Sequence, residues 1–362
     1  VGGSLDAGTS TLDITATDIA ALANGFSQIT IGDAAAGTGS VSVDSATFDD
    51  AVTLVGGSVT VTNGLTADGG LILTARDAAA STAEDVTISS GTVQDLAGSI
   101  VINAGDDFSL ASGASISAAA ASQTVTVTID ASSADTNADA SAAINGTIAG
   151  AAGSTLVGGA GNDTITFANG GSIATINAGA GDDRTTFTLG TTVTTQNVAL
   201  NGEGDAANGD DLILIGDGAT GNDTAVYTPT ASGAGTVAID QDTGGTDFTI
   251  TFTGLEPVDL TDMLSVTING SANADTIALA NGTSLGSENA IQVSGMINGG
   301  AFAMETAFVR EVGTLTVATV AGNDSITINS ATNAHNVANL TLDTGTDTDS
   351  IAIAGSATVS GT

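Results

Sequence analysis

The sequence has no cysteine and no tryptophan, one tyrosine, one histidine, two prolines and only three basic residues. Each shortage excludes something. Without cysteine there are neither disulfides nor thiolate metal sites. The basic residues are Arg76, Arg184 and Arg310, so lysine is absent altogether. Against them stand 40 acidic residues, for a formal net charge of −37. Such a chain repels nucleic acid and anionic membrane surfaces and attracts divalent cations. No apolar run approaches the ~20 residues that a membrane-spanning helix needs. The start at Val1, with neither an initiator methionine nor a basic-then-apolar leader, reads as a mature or processed piece of something longer.

What the chain has is glycine, 49 residues of it, and a succession of brief alternating segments. Val41-Ser42-Val43, Val59-Thr60-Val61, Leu71-Ile72-Leu73, Val86-Thr87-Ile88 and Ile100-Val101-Ile102 are separated by clusters of Gly, Asp, Asn and Ser. Small β-branched residues suit narrow stacked coils better than a wide globular core. An apolar-Asn-(Ala/Gly) corner recurs at Ile102-Asn103-Ala104, Ile144-Asn145-Gly146, Ile176-Asn177-Ala178 and Ile268-Asn269-Gly270. Short strands, no intervening helices and a recurrent corner predict an all-β fold, a right-handed parallel β-helix, with a sandwich as the alternative. Residues 1–117 read as a solenoid segment behind a short N-terminal capping helix, with Thr17 before Asp18–Ala23. The Ala/Ser/Asp-rich stretch 118–154 reads as a loose coil or boundary, and 155–362 as a Gly/Asp-rich solenoid segment. An inserted loop or small β-module is expected near 228–263, between Pro229 and Pro257.

The stretch Gly158–Phe187 organises these expectations. Gly158-Gly159-Ala160-Gly161-Asn162-Asp163-Thr164-Ile165-Thr166 fits the pattern G-G-x-G-x-D-x-U-x, and Ala178–Asp183 repeats its turn half. A coil of that length sets Asp183 one strand spacing, ~4.8 Å, above Asp163. Two carboxylates that close repel unless a cation lies between them. Oxygen ligands with no cysteine favour a hard cation, calcium. The candidate ligands are Asn162, Asp163, Asp182, Asp183, Asp210, Asp211, Asp217 and Asp223, followed by Asp275, Asp324, Asp347 and Asp349. The plainer reading is that these are turn residues in contact with water.

Residues 158–166 resemble the calcium-binding nonapeptide of RTX proteins, with 178–183 as a degenerate second copy. That resemblance implies calcium held by Asp163 and Asp183 at the Gly-rich turns. Residues 12–117, with Phe26–Gly32 and Gly64–Leu71, resemble the β-helical repeats of large bacterial adhesins of the filamentous-haemagglutinin kind, as does Gly313–Val317 before Gly322-Asn323-Asp324. This second resemblance implies a secreted or cell-surface bacterial protein. The expected function is a non-enzymatic, calcium-stabilised structural protein, such as a filament, surface-layer or biofilm-matrix subunit that associates with itself. An adhesin module binding a glycan or a partner protein is the alternative. A polysaccharide-active enzyme stands third, because three scattered arginines offer a poor polyuronate site and His335 has no basic neighbour.

Overall fold

The structure is a computed structural model. It describes residues 1, 14–33, 38–76, 84–131, 139–168, 170–190, 196–202, 209–218, 221–242, 244–285, 287–329 and 336–354. His335, Asp6 and the stretch 355–362 lie outside the described residues. The protein is all-β, with large parallel sheets and, among the described residues, one short helix. The chain divides into two compact units, Val1–Gly181 and Asp182–Thr362.

In the first unit the chain alternates between two parallel ladders. One stacks Ile29–Gly32, Val52–Gly56, Leu71–Ala75, Ile100–Asn103, Thr124–Thr128, Gly153–Val157 and Thr175–Asn177. Its register aligns Leu54, Leu73, Ile102, Val127, Leu156 and Ile176 in a single column, and every member is fully buried. The intervening column, Thr53, Ile72, Val101, Thr126, Thr155 and Thr175, is half-buried on the other face. Side chains alternate along a strand, so a register slip of one residue would exchange the two columns. Each buried aliphatic residue contributes about 1.5–3 kcal/mol, and this sets the register.

The other ladder starts from Ser40–Thr47 and Ser58–Ala67 and then forks. One branch continues through Val86–Ile88, Phe108–Leu110, Ser141–Ile144 and Thr164–Phe167. The second continues through Thr92–Asp95, Ser115–Ala118 and Thr147–Gly150. The fork lies where Asn63 (φ 67°) and Gly64 (φ 101°) bend the long strand. The stretch 118–154 thus contributes strands to both ladders, while 132–138 lie outside the described residues. The helix spans Ala16–Ala20. Its cap is Thr15 rather than Thr17, because Asp18 completes a capping box with Thr15.

The second unit repeats the two-ladder plan, but each ladder contains an antiparallel meander. In one, Val198–Asn201 pairs in parallel with Phe248–Thr253, and Thr224–Ala231 pairs in parallel with Ser265–Asn269. Between them Ala234–Asp240 runs antiparallel to both neighbours. In the other, Leu255–Thr261 pairs with Ala307–Arg310 and Thr276–Thr283 with Ser325–Ile328, while Asn289–Ile297 runs antiparallel between the two. In both meanders the chain enters on the strand that pairs with a later segment and returns to one that pairs with an earlier segment. The first meander occupies much of the 228–263 stretch.

Candidate functional site: the aspartate corners

An aspartate repeatedly stands just before a strand, and its carboxylate turns inward to accept backbone hydrogens. Asp163 precedes Thr164–Phe167 and is 1 % exposed. Its Oδ1 accepts from the Ala140 N–H at 2.9 Å and its Oδ2 from the Gly159 N–H at 2.7 Å. Asn162 is exposed, and its N–H donates to Asp139 at 2.9 Å. Burial raises the Asp163 pKa to about 6, against the lowering effect of the two N–H donors.

The second unit holds the remaining candidates. The Asp183 N–H donates to Asp210 Oδ1 at 2.9 Å, and both residues are 1 % exposed. Asp211 forms an ion pair with Arg184 at 3.1 Å. Burial raises the Asp211 pKa to about 6, opposed by Arg184 and reinforced by Asp210 and Asp182. Asp217 and Asp223 exchange bonds: the Asp217 N–H donates to Asp223 Oδ2 at 2.8 Å, while Asp217 Oδ1 accepts from the Asp223 N–H at 3.5 Å. Burial, then the Asp217 charge, raises the Asp223 pKa to about 6.

A longer run joins three turns. The Asp275 N–H donates to Asp324 Oδ1 at 2.8 Å, and the Asp324 N–H donates to Asp349 Oδ1 at 3.0 Å. Asp275 itself accepts from Ser271 N–H, Ser271 Oγ and Asn298 N–H at 2.6, 2.8 and 2.8 Å. Exposed Asp347 accepts from the Gly322 N–H at 3.0 Å. The structure therefore brings together Asp183 with Asp210, Asp217 with Asp223, and Asp275 with Asp324 and Asp349. Asp163 and Asp183 belong to different units.

Sequence reasoning missed two features. Asp95 is 0 % exposed and accepts from the N–H groups of Gly69, Gly70, Ala97 and Gly98, the first three at 3.3, 2.9 and 3.0 Å. No Gly-Asp pair precedes it, so the corner pattern did not mark it. The other is Asp240, Asp242 and Asp247, which offer carboxylate oxygens within 4.8 Å of one another, the one such acidic group among the described residues. Its signal was Asp240-Gln241-Asp242 followed by Gly244-Gly245 and Asp247, acids interleaved with turn glycines.

These corners cap stacked turns: each buried carboxylate satisfies N–H groups that the turns expose to their neighbours. They define the class as an all-β protein of parallel ladders held at the corners by aspartate-to-backbone bonds. Comparison with protein-family models, with curated proteins and with solved structures finds no match.

Proposed function

We propose that the ladders are the faces of a right-handed parallel β-helix, and that the protein is a non-enzymatic, calcium-stabilised structural subunit of an extracellular bacterial filament, surface layer or biofilm matrix. The handedness follows the rule for parallel crossovers. The setting follows from the resemblance to adhesin and RTX repeats. One observation carries the reading: apolar columns run from coil to coil and end on exposed side chains. In the second unit Ile277, Ile326 and Ile351 align, as do Leu279, Ile328 and Ile353. The first two of each set are buried, whereas Ile351 is 51 % and Ile353 64 % exposed. Among the described residues, strand Ser350–Ile353 pairs on one side only, with Ser325–Ile328, and an edge of this kind accepts a further strand. The occupant we assign is a second copy of this chain.

Light scattering and electron microscopy of the full chain in millimolar calcium are expected to detect oligomers or fibres. Ile351→Glu with Ile353→Glu abolishes them, because the new charges meet a like-charged partner. A wild-type chain that stays monomeric at high concentration, or fibres that survive the double substitution, overturns the reading. Calcium enters as the cation that offsets the crowding of acids at the corners, and a chelator is expected to lower the melting temperature.

A further inference from the structure

Two corners share one construction, and a third departs from it. Five residues before Asp163 stands Gly158, and five before Asp275 stands Gly270. A Cβ on Gly158 would lie 2.7 Å from Asp163 Oδ2, and one on Gly270 would lie 2.3 Å from Asp275 Oδ2. At Gly270 the carboxylate fills the space of a side chain, and at Gly158 the carboxylate and the Ala178 carbonyl oxygen, 1.6 Å from such a Cβ, do so together. With that room, Oδ2 reaches the N–H four residues before its own aspartate, Gly159 in one corner and Ser271 in the other.

At Asp324 the equivalent position is Thr319. Threonine carries a Cβ where the other two corners have glycine, and the N–H four residues before Asp324, that of Val320, donates instead to the Ser271 carbonyl at 3.2 Å. Two oxygens are left over. Asp324 Oδ2 and Thr319 Oγ1 have no hydrogen-bond partner among the described residues, although Asp324 is 2 % and Thr319 3 % exposed. A buried carboxylate oxygen without a donor is costly, and the Thr319 hydroxyl, five residues before it in the chain, is a second such oxygen. The Asp324 Oδ1 is already committed to the Asp275 N–H.

We propose that this corner binds a hard divalent cation through Asp324 Oδ2 and Thr319 Oγ1, with calcium the ion that such oxygen donors and the flexible coordination of a turn accept. The proposal rests on the calcium reading above but moves the ion. At the Gly158–Asp163 turn, where the RTX resemblance puts calcium, Asp163 already holds backbone donors on both oxygens. The oxygens left without a partner, and hence the ligands, are at the corner where threonine replaces glycine.

Calcium stoichiometry by titration calorimetry on the full chain tests this. Thr319→Gly restores the glycine corner, lets the carboxylate turn to backbone hydrogens, and is expected to bind one ion fewer than wild type while remaining folded by circular dichroism. Asp324→Asn and Thr319→Val remove one ligand each without changing size, so they cover the case in which the glycine variant unfolds, and each is expected to lose the same ion. Unchanged stoichiometry in all folded variants overturns the proposal and leaves a bridging water as the occupant. If wild type binds no calcium at all, the broader calcium reading falls with it.

Discussion

The carboxylate of Asp210 accepts a hydrogen bond at 2.9 Å from the backbone N–H of Asp183, 27 residues earlier in the chain. The same relation joins Asp324 to Asp275 at 2.8 Å and Asp349 to Asp324 at 3.0 Å. A side chain thus supplies, at the corner, the same kind of cross-link that the ladder supplies along the strand. Aspartate suits this because its carboxylate offers several lone pairs on a short stem. Serine or glutamate at the same place would alter reach or acceptor number.

Asp95 accepts from four backbone N–H groups, and Asp95→Ala is expected to strand these donors in a buried corner. The loss should be about 3 kcal/mol or more, since an unsatisfied buried group costs ~1–3 kcal/mol and several are stranded together. Exposed Asp242→Ala should stay within about 0.5 kcal/mol. Denaturant melts of the two variants make the comparison, and similar midpoints would show that the Asp95 network contributes nothing.

The pH dependence has a definite sign. Asp163, Asp211, Asp223 and Asp259 have folded pKa values raised to about 6, chiefly by burial, from the ordinary 3.8 of an aspartate. Between those two values the folded chain binds more protons than the unfolded one, so acidification favours folding. The stabilisation from these groups is full below about pH 4 and is lost as pH rises through about 6. The melting temperature is expected to climb from pH 7.5 to pH 5, and Asp259→Asn to flatten the slope. A melting temperature that falls steadily over that interval would contradict the burial of these carboxylates.

The inward face can be checked one residue apart. Ile165 is 0 % exposed and aligned with Ala142, whereas neighbouring Thr166 is half-buried on the opposite face. Ile165→Asp buries an unpaired charge and should cost several kcal/mol, roughly 3–5, while Thr166→Asp should cost ~1 kcal/mol or less. Equal losses in a thermal melt would mean that the register is reversed.

Glycine at the corners is a question of space. A Cβ on Gly158 would lie 1.6 Å from the Ala178 carbonyl oxygen, a distance no packing adjustment of one side chain relieves, whereas one on Gly190 meets nothing within 4 Å. Gly158→Ala should therefore lower stability by several kcal/mol, and Gly190→Ala should leave it unchanged or slightly raised through the unfolded chain. Calorimetric melts separate the two, and parity would argue against close stacking at this turn.

The sequence by itself determined the all-β class, the alternation of core and outer columns, and the placement of aspartates before strands. Ile165, Phe167 and Ile176 could be assigned inward because a strand has period two and apolar burial is the dominant local force. It also marked Asp163, Asp183, Asp223, Asp275 and Asp324 as corner residues, because Gly-Asp and Asn-Asp turns are locally encoded. What those carboxylates touch was decided only in three dimensions. Beyond near neighbours such as Gly159 for Asp163 and Asp217 for Asp223, their partners are N–H groups 23 to 49 residues away, such as Ala140 for Asp163 and Asp275 for Asp324, and no local pattern specifies which turn stacks on which. The antiparallel meanders were beyond the sequence for the same reason. A strand such as Ala234–Asp240 has the same alternation whether it pairs parallel or antiparallel, and stacking against Phe248–Thr253 and Thr224–Ala231 made the choice.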